Sequence, residues 1–266
     1  MIEKEIAEFT KYANTFDMNV DAIKLKYFHT LRVVEYTRKI LNIGNYAQDL
    51  IRLSLIGALL HDIARFKQWT DYNTYKDCNS FDHGNMAYEI LKHNNYINNY
   101  VNNDSEKDII LNAVKQHNKK ELELNGNLWA DFVAKVVRDA DKIDILEKQY
   151  NLNDTNLYLY KDYLNEFGSL SDSQFDINDI LLDDIVHKRL CSNSNVKYYF
   201  DAVLRELAFI FDLNFKESFQ IIKDLKIVES KMKLLRYYNK KDENIEKINI
   251  IEKTLIDFID NKLKED

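Results

Sequence analysis

The sequence contains no proline and only five glycines among its 266 residues. Proline and glycine supply the tight turns that a sheet-rich fold needs in large number, and both interrupt helices. Their scarcity therefore favours helices joined by polar loops, in which asparagine, aspartate and serine supply the turns. Residues 102–105 (NNDS) and 171–173 (SDS) have the composition of such loops. The predicted fold class is all-α.

A long apolar segment, a basic cluster and a cysteine pattern are lacking as well. The longest apolar run, residues 53–60, is too short to cross a bilayer, and the N-terminus has no apolar signal segment. The formal net charge is −7 without any long basic run, which argues against long nucleic acid as a partner. Cys78 and Cys191 show no pairing signature and are interpreted as reduced thiols. We therefore expect a cytoplasmic protein.

Hydrophobic residues make up 45% of the chain, which is enough to fill a core. Apolar residues at helical spacing predict helices over residues 21–42, 48–66, 83–97, 105–118, 128–150, 196–211, 215–237 and 243–264. The helix over 48–66 is almost wholly apolar and is expected at the centre of the fold. Residues 67–82 have no clear period and are predicted to form a long loop. The last helix is expected to pack onto the same body or onto a partner chain.

Four of the six histidines form an ordered series with acidic residues. The series is His29, His61-Asp62, Asp82-His83, His117 and Asp141. His61 and Asp62 end the buried run, where coordinating or charged groups need a partner because an unpaired buried charge is very costly. A divalent cation is one such partner. His93 and His187, outside the series, are interpreted as satisfied core residues or exposed ones.

The predicted metal ligands are His29, His61, Asp62 and Asp141. Two imidazoles and two carboxylates favour Mn, Fe, Co, Ni or Zn, with Mg less natural. Four protein ligands leave open positions for water and a substrate oxygen, so that one ion both activates the water and polarises phosphorus.

These motifs resemble those of the HD domain, the domain of a superfamily of metal-dependent phosphohydrolases. The resemblance covers roughly residues 25–150, through residues 28–32 (FHTLR), 60–66 (LHDIARF) and 138–144 (RDADKID). It implies a helical bundle that carries a catalytic metal on the four ligands named above. Family members usually have glycine where this chain has Ala64, a small change that is not expected to affect the metal.

Further segments resemble a subgroup of uncharacterised bacterial HD-domain proteins. They are residues 65–68 (RFKQ), 80–84 (SFDHG), 117–118 (HN) and a helical tail at 209–215 (FIFDLNF). Because the likeness extends into the tail, we expect one helical domain over residues 1–266. Residues 25–150 would form its HD core, and residues 151–266 would add C-terminal helices to the same body.

His83 and His117 have two open interpretations. In binuclear members of the superfamily two such histidines bind a second metal, whereas in mononuclear members the residues at these places contact phosphate or water. The sequence therefore predicts one ion, with two as the alternative. Asp82 is expected to orient His83, since a neighbouring carboxylate fixes the tautomer of an imidazole.

Four cations lie close to the ligands in sequence and are candidates for binding phosphate. They are Arg65 and Lys142, ranked first, and Arg32 and Arg138. Arginine matches phosphate through two parallel hydrogen bonds. For each of the four, an ordinary salt bridge is the alternative.

The leading hypothesis is an enzyme that hydrolyses a phosphate ester or anhydride of a small molecule, with a nucleotide as the expected substrate. A regulatory sensor that binds nucleotide and metal without turnover is the alternative, and a helical interaction module with a degenerate site is disfavoured by the intact ligand set. The aromatic residues of segment 67–82 either stack on a base or pack the segment down. They are Trp69, Tyr72, Tyr75 and Phe81.

Overall fold

The computed structural model describes residues 1–124, 126–147 and 175–265, and in these ranges the regular elements are helices, without any strand. The predicted all-α fold is therefore confirmed. The predicted loop at 171–173 lies outside the described residues. The chain divides into two compact units, Met1–Asp144 and Ile145–Asp266. The single domain expected from the sequence stays a prediction.

The first unit contains the helices that carry the histidine and aspartate series. They are α1 (Glu3–Ala13), α2 (Asp21–Gly44), α3 (Gln48–Leu60), α4 (Ala64–Tyr72), α5 (His83–Lys92), α6 (Asp104–Gln116) and α7 (Leu128–Glu147), the last of which ends beyond the boundary of the unit. Short 3-10 segments at Asp77–Asn79 and His93–Asn99 follow α4 and α5.

Helix α3 lies at the centre of this unit, as predicted. Every residue from Leu53 to Leu60 is buried, and α3 packs against α2 and α6. At Gly57 a β-carbon would lie 3.3 Å from the side chains of both Val133 and Val137, so the missing side chain lets α7 approach closely. The helix ends at Leu60 rather than at residue 66, and residues 61–63 form a turn that leads into α4.

The prediction of a loop over 67–82 is wrong for its first part, because α4 continues to Tyr72. The physical reason is tertiary packing, which the local sequence pattern does not show. Phe66 is buried on α4, with ring contacts to Phe9 and Tyr12 of α1 and to Phe16 just after it. Helix α1 was not among the predicted helices, and its aromatic face becomes apparent only once α4 packs against it.

The second unit contains α8 (Asp179–Val186), α9 (Tyr199–Leu207), α10 (Lys216–Asp224), α11 (Ile227–Tyr238) and α12 (Asp242–Lys264). The single helix predicted over 215–237 is therefore two helices. The break falls at Lys226, whose φ of 52° lies in the left-handed region and ends the helical hydrogen-bond ladder. Helix α12 packs against α8, α10 and α11 through its buried isoleucine and leucine residues.

No helix in the described ranges is both long and apolar enough to cross a membrane.

Candidate metal centre

The predicted series of histidines and aspartates comes together in the first unit. Some of these residues lie at the ends of three helices, and the others lie on the faces of two more. His29 lies on α2 and Asp141 on α7. His61 and Asp62 lie in the turn after α3, while His83 begins α5 and His117 follows the last residue of α6. Residues that are more than a hundred positions apart thus meet in one place.

The first donor group consists of His29, His61, Asp62 and Asp141. His29 Nε2 lies 3.2 Å from Asp141 Oδ1 and 3.5 Å from Asp62 Oδ2. His61 Nε2 lies 3.6 Å from Asp62 Oδ2 and 3.8 Å from Asp141 Oδ1. The structure therefore brings the four predicted ligands into one cluster, with Asp141 on its more exposed side.

Two nitrogens of this group are left without a conventional partner. His29 Nε2 and His61 Nε2 are buried, and neither has a hydrogen-bond partner within the described part of the chain. Burying such an atom without a partner costs about 1–3 kcal/mol. A divalent cation would satisfy both nitrogens and the carboxylates that face them, so these residues fit a metal ion.

The second donor group uses the other oxygen of Asp62. His83 Nε2 lies 3.6 Å from Asp62 Oδ1, and His117 Nε2 lies 3.5 Å from the same atom. The two Nε2 atoms are 3.0 Å apart. The Asp62 carboxylate therefore lies between two groups of imidazoles, with one oxygen directed to each.

The tautomers of His61 and His117 are set by their own helices. Each Nδ1 lies 2.7 Å from the carbonyl oxygen three residues earlier, that of Ala58 for His61 and that of Val114 for His117. A carbonyl only accepts, so each Nδ1 donates its proton there. The Nε2 lone pairs of both rings are therefore directed into the cluster.

Carboxylates fix the other two rings. His29 Nδ1 lies 2.6 Å from Asp144 Oδ2, and Arg32 Nε donates to Asp144 Oδ1 at 2.6 Å. The structure thus places Arg32, a predicted phosphate ligand, in the salt bridge that was its alternative. Asp144 was missed as a functional residue, although its position three residues after Asp141 puts both on one face of α7.

The partner of His83 is Asp77 rather than Asp82. His83 Nδ1 lies 2.6 Å from Asp77 Oδ2. Asp82 instead caps α5 by accepting from the Asn85 main-chain N–H at 2.8 Å, and its other oxygen accepts from Lys119 Nζ at 2.6 Å. The orienting role predicted for Asp82 is therefore corrected. No periodic signal indicates Asp77, because it lies in an irregular segment.

Arg65 connects the second donor group to the segment after α4. Its guanidinium donates to Asp62 Oδ1 at 3.3 Å and contacts His83 Nε2 at 3.1 Å. It also donates to Asp77 Oδ1 at 3.1 Å and to the Tyr75 carbonyl at 2.7 Å. Arg65 thus lies inside the cluster in salt bridges with Asp62 and Asp77, the alternative interpretation for this residue, and its phosphate-binding role stays a prediction.

The remaining predicted cations lie on α7. Arg138 is buried and donates to the main-chain carbonyls of His117, at 3.2 Å, of Lys119 and of Lys120, at 3.0 Å. It thereby ties the segment after α6 to α7, which is a structural role. Lys142 is buried next to Asp141, and its phosphate-binding role stays a prediction.

Sequence reasoning missed one cation in the cluster. Lys26 Nζ donates to Asp62 Oδ2 at 2.9 Å, and its side chain is 16% exposed compared with 3% for Asp62. Lys26 therefore lies on the solvent side of the first donor group. Its position three residues before His29 on α2 is the helical spacing that puts both on one face.

The cluster separates charged carboxylates from neutral imidazoles. Burial acts to raise the pKa of Asp62, but Lys26, His61 and Arg65 together hold that pKa well below its usual range. Burial lowers the pKa of His61 to about 4. Burial and then the Arg65 charge lower the pKa of His83 to about 3. Neutral imidazole and charged carboxylate are the forms that bind metals.

His29 differs from the other histidines. Burial and Lys26 act to lower its pKa, but contacts with Asp141, Asp144 and Asp62 outweigh them and raise the pKa of His29 to about 9. Without a cation between them, three carboxylates around one ring favour a proton there. The position therefore attracts positive charge.

The fold and the site together define a helical domain with buried histidines and aspartates arranged to hold a divalent cation. Residues 27–146 match the family model of the HD domain, so this part of the chain is identified as an HD domain, a type of domain that is typical of metal-dependent phosphohydrolases. The matched range includes every residue of both donor groups. No curated protein and no solved structure matches the chain.

Proposed function

We propose that this chain is a metal-dependent phosphohydrolase that cleaves a phosphate ester or anhydride of a small molecule, with a nucleotide as the expected substrate class. One observation carries the proposal. In an HD domain, two buried and unpartnered imidazole nitrogens, those of His29 and His61, face two charged carboxylates. Such a group of donors is costly without a cation and suited to one.

The four residues of the first donor group would hold the ion. When bound, a divalent ion lowers the pKa of a water molecule and draws electron density from a phosphoryl oxygen. Asp144 and the Ala58 carbonyl keep the His29 and His61 rings oriented, through contacts of 2.6 and 2.7 Å. The two rings are thus oriented before a substrate arrives, which reduces the reorganisation that the reaction needs.

Two cations flank the group and suit a phosphate. Arg65 and Lys26 contact opposite oxygens of Asp62, at 3.3 and 2.9 Å. Developing negative charge on phosphoryl oxygens next to Asp62 would lie between them, where it is stabilised. Lys142, beside Asp141, is proposed to add to this charge.

The second donor group is placed to handle a proton. His117 Nε2 and His83 Nε2 lie 3.5 and 3.6 Å from Asp62 Oδ1. Asp77 fixes the His83 ring, and a ring held in one tautomer is suited to donating or accepting at its other nitrogen. Nδ1 of each ring donates its proton, to the Asp77 carboxylate in His83 and to the Val114 carbonyl in His117, so Nε2 is the accepting nitrogen. We assign to one of these two histidines the uptake of a proton from the attacking water.

A metal-by-substrate screen tests the function. Protein of known metal content is incubated with nucleoside mono-, di- and triphosphates and with cyclic nucleotides, and phosphate release or ring opening is measured. Chelation should abolish turnover, and Mn, Co or Ni should restore it. If metal-replete protein binds a nucleotide tightly but turns over none of the panel, the chain is instead a nucleotide sensor.

A further inference from the structure

Arg65 contacts two of the three residues of the second donor group. Its Nη2 lies 3.1 Å from His83 Nε2, and its Nε lies 3.3 Å from Asp62 Oδ1. With His117 Nε2, 3.5 Å from Asp62 Oδ1, these are the atoms that a second cation at this group would need. A positive charge is therefore already present there, and it belongs to the protein.

Further hydrogen bonds hold the Arg65 guanidinium in this position. Its Nη1 donates to Gln68 Oε1 at 2.6 Å, to the Tyr75 carbonyl at 2.7 Å and to Asp77 Oδ1 at 3.1 Å. The Arg65 side chain is 13% exposed. Moving it away would break several charge-assisted hydrogen bonds in a largely buried position, where hydrogen bonds to a charged group are costly to lose.

The two donor groups differ in what their nitrogens contact. In the first group, His29 Nε2 and His61 Nε2 have no hydrogen-bond partner among residues 1–124, 126–147 and 175–265. In the second group, His83 Nε2 contacts both His117 Nε2 and Arg65 Nη2. The cation of the first group, Lys26, contacts Asp62 Oδ2 at 2.9 Å, whereas Arg65 contacts a histidine nitrogen of the second group, so a protein cation already lies against one of the nitrogens that a second ion would need.

Arginine is suited to keep a second ion out. Its guanidinium cannot lose its proton in a protein, so its charge persists at every pH at which the fold survives. A divalent ion bound among these atoms would lie next to this charge and be repelled by it, because a partly buried environment screens Coulomb repulsion much less than bulk water does.

We propose that the Arg65 guanidinium takes the place of a second metal ion, so that the chain binds one divalent ion, at the first donor group. The inference rests on the proposed function only in the identity of that first group. It gives Arg65 a definite task, since the guanidinium supplies beside Asp62 the positive charge that a second ion would otherwise bring to a bound phosphate.

Metal stoichiometry tests the proposal. Mn²⁺ binding to the full chain is measured by equilibrium dialysis, and electron paramagnetic resonance shows whether two bound ions are exchange-coupled. The parent protein should bind one ion per chain. Arg65→Met, which removes the charge but keeps much of the volume, should bind two, with a coupled signal. Adding His83→Ala to Arg65→Met should return the number to one.

Arg52→Met is the matched control. Arg52 also forms an ion pair with a carboxylate, that of Glu106, but neither residue contacts the donor groups in the described contacts. This variant should bind one ion like the parent. If Arg65→Met fails to fold by circular dichroism, Arg65→Gln replaces it, because glutamine is uncharged and retains a donor for the Tyr75 carbonyl.

Two coupled ions in the parent would overturn the proposal, as would a folded, uncharged variant that still binds only one. A parent that binds no Mn²⁺ would overturn this proposal and the proposed function together. If the parent binds one ion and Arg65→Met binds two, as expected, but the parent releases no phosphate from any substrate, the proposed function is wrong. The proposal that Arg65 takes the place of a second ion is then still supported.

Discussion

At the scale of single residues, Asp62 organises the candidate centre. Its Oδ2 faces His29 and His61, and its Oδ1 faces His83 and His117. Each oxygen also receives a hydrogen bond from a cation, one from Lys26 and the other from Arg65. The charge of one carboxylate thus holds two protein cations, and its two oxygens face the imidazole nitrogens of both groups.

Lys26 competes with a metal ion for Asp62 Oδ2. Replacing its ammonium in Lys26→Met removes a positive charge 2.9 Å from a proposed ligand atom, so Mn²⁺ affinity should rise. The expected gain is about tenfold, the scale of one hydrogen bond between charged groups. Isothermal titration calorimetry measures it.

Lys24→Met is the control for this prediction. Lys24 lies on the same helix but is exposed, and the same substitution there should leave Mn²⁺ affinity unchanged. A loss of affinity in Lys26→Met alone would mean that the lysine supports the ligands instead of competing with the ion.

The residues of the site were unequally predictable. His29, His61, Asp62 and Asp141 follow from motif order and from their positions at the ends and flanks of apolar helices. Lys26 and Asp144 share a helix face with a ligand, so spacing alone indicates them. Asp77 lies in a segment without periodicity, and its contact with His83 depends on how α4 and α5 are joined.

At the scale of elements, α5 and the residues after α6 interlock. Asn118 Nδ2 donates to Asp82 Oδ1 at 3.1 Å and to Asp77 Oδ2 at 3.3 Å. A β-carbon on Gly84 would lie 2.4 Å from Asn118 Oδ1 and 3.0 Å from the Lys115 carbonyl oxygen. Glycine at this position therefore lets Asn118 reach the carboxylate that orients His83.

Gly84→Ala should destabilise the fold. The added methyl group must displace Asn118, whose hydrogen bonds resist the movement, and overpacking of this kind costs about 1–3 kcal/mol. The free energy of unfolding from urea titration measures the loss.

Combining Gly84→Ala with Asn118→Ala tests whether the loss of stability comes from a clash between the added methyl group and the Asn118 side chain. The double variant should lose less stability than the sum of the two single losses, because the smaller side chain no longer meets the methyl group. If the loss in the double variant equals the sum of the two single losses, the Asn118 side chain is not what the added methyl group clashes with.

Burial could be predicted where the sequence is apolar on every side of a helix, whereas helix boundaries that depend on tertiary packing could not. The run from Leu53 to Leu60 is apolar on every side and is buried throughout. The extent of α4 depends on Phe66 packing against α1, which no local pattern shows. The break at Lys226 likewise has no signal in the sequence, because neither glycine nor proline stands beside this residue to mark the turn.

At the scale of the whole molecule, the division into two compact units concerns whether the chain unfolds in one step or in two. The candidate centre lies in Met1–Asp144, although α7 continues beyond that boundary to Glu147. We propose that the chain is one cooperative domain, as the extent of the subgroup resemblance indicates.

Metal-linked stability tests this cooperativity. Mn²⁺ at about 100 times its Kd should stabilise the native state by about 2.7 kcal/mol and raise Tm by roughly 5–10 °C. For one cooperative domain, differential scanning calorimetry should show a single transition that moves as a whole. Two transitions, of which only one responds to Mn²⁺, would show that the units unfold separately.

The central claim is that His29, His61, Asp62 and Asp141 hold a divalent ion, and metal content tests it most directly. His61 is the sharpest probe, since its side chain is fully buried and its Nε2 has no hydrogen-bond partner in the described ranges. The metal content of the purified parent, of His61→Ala and of His93→Ala, an exposed histidine of the same unit, is measured by elemental analysis after equal exposure to Mn²⁺. The account predicts about one ion per chain in the parent and in His93→Ala, and almost none in folded His61→Ala. Folded His61→Ala that holds as much metal as the parent would contradict it.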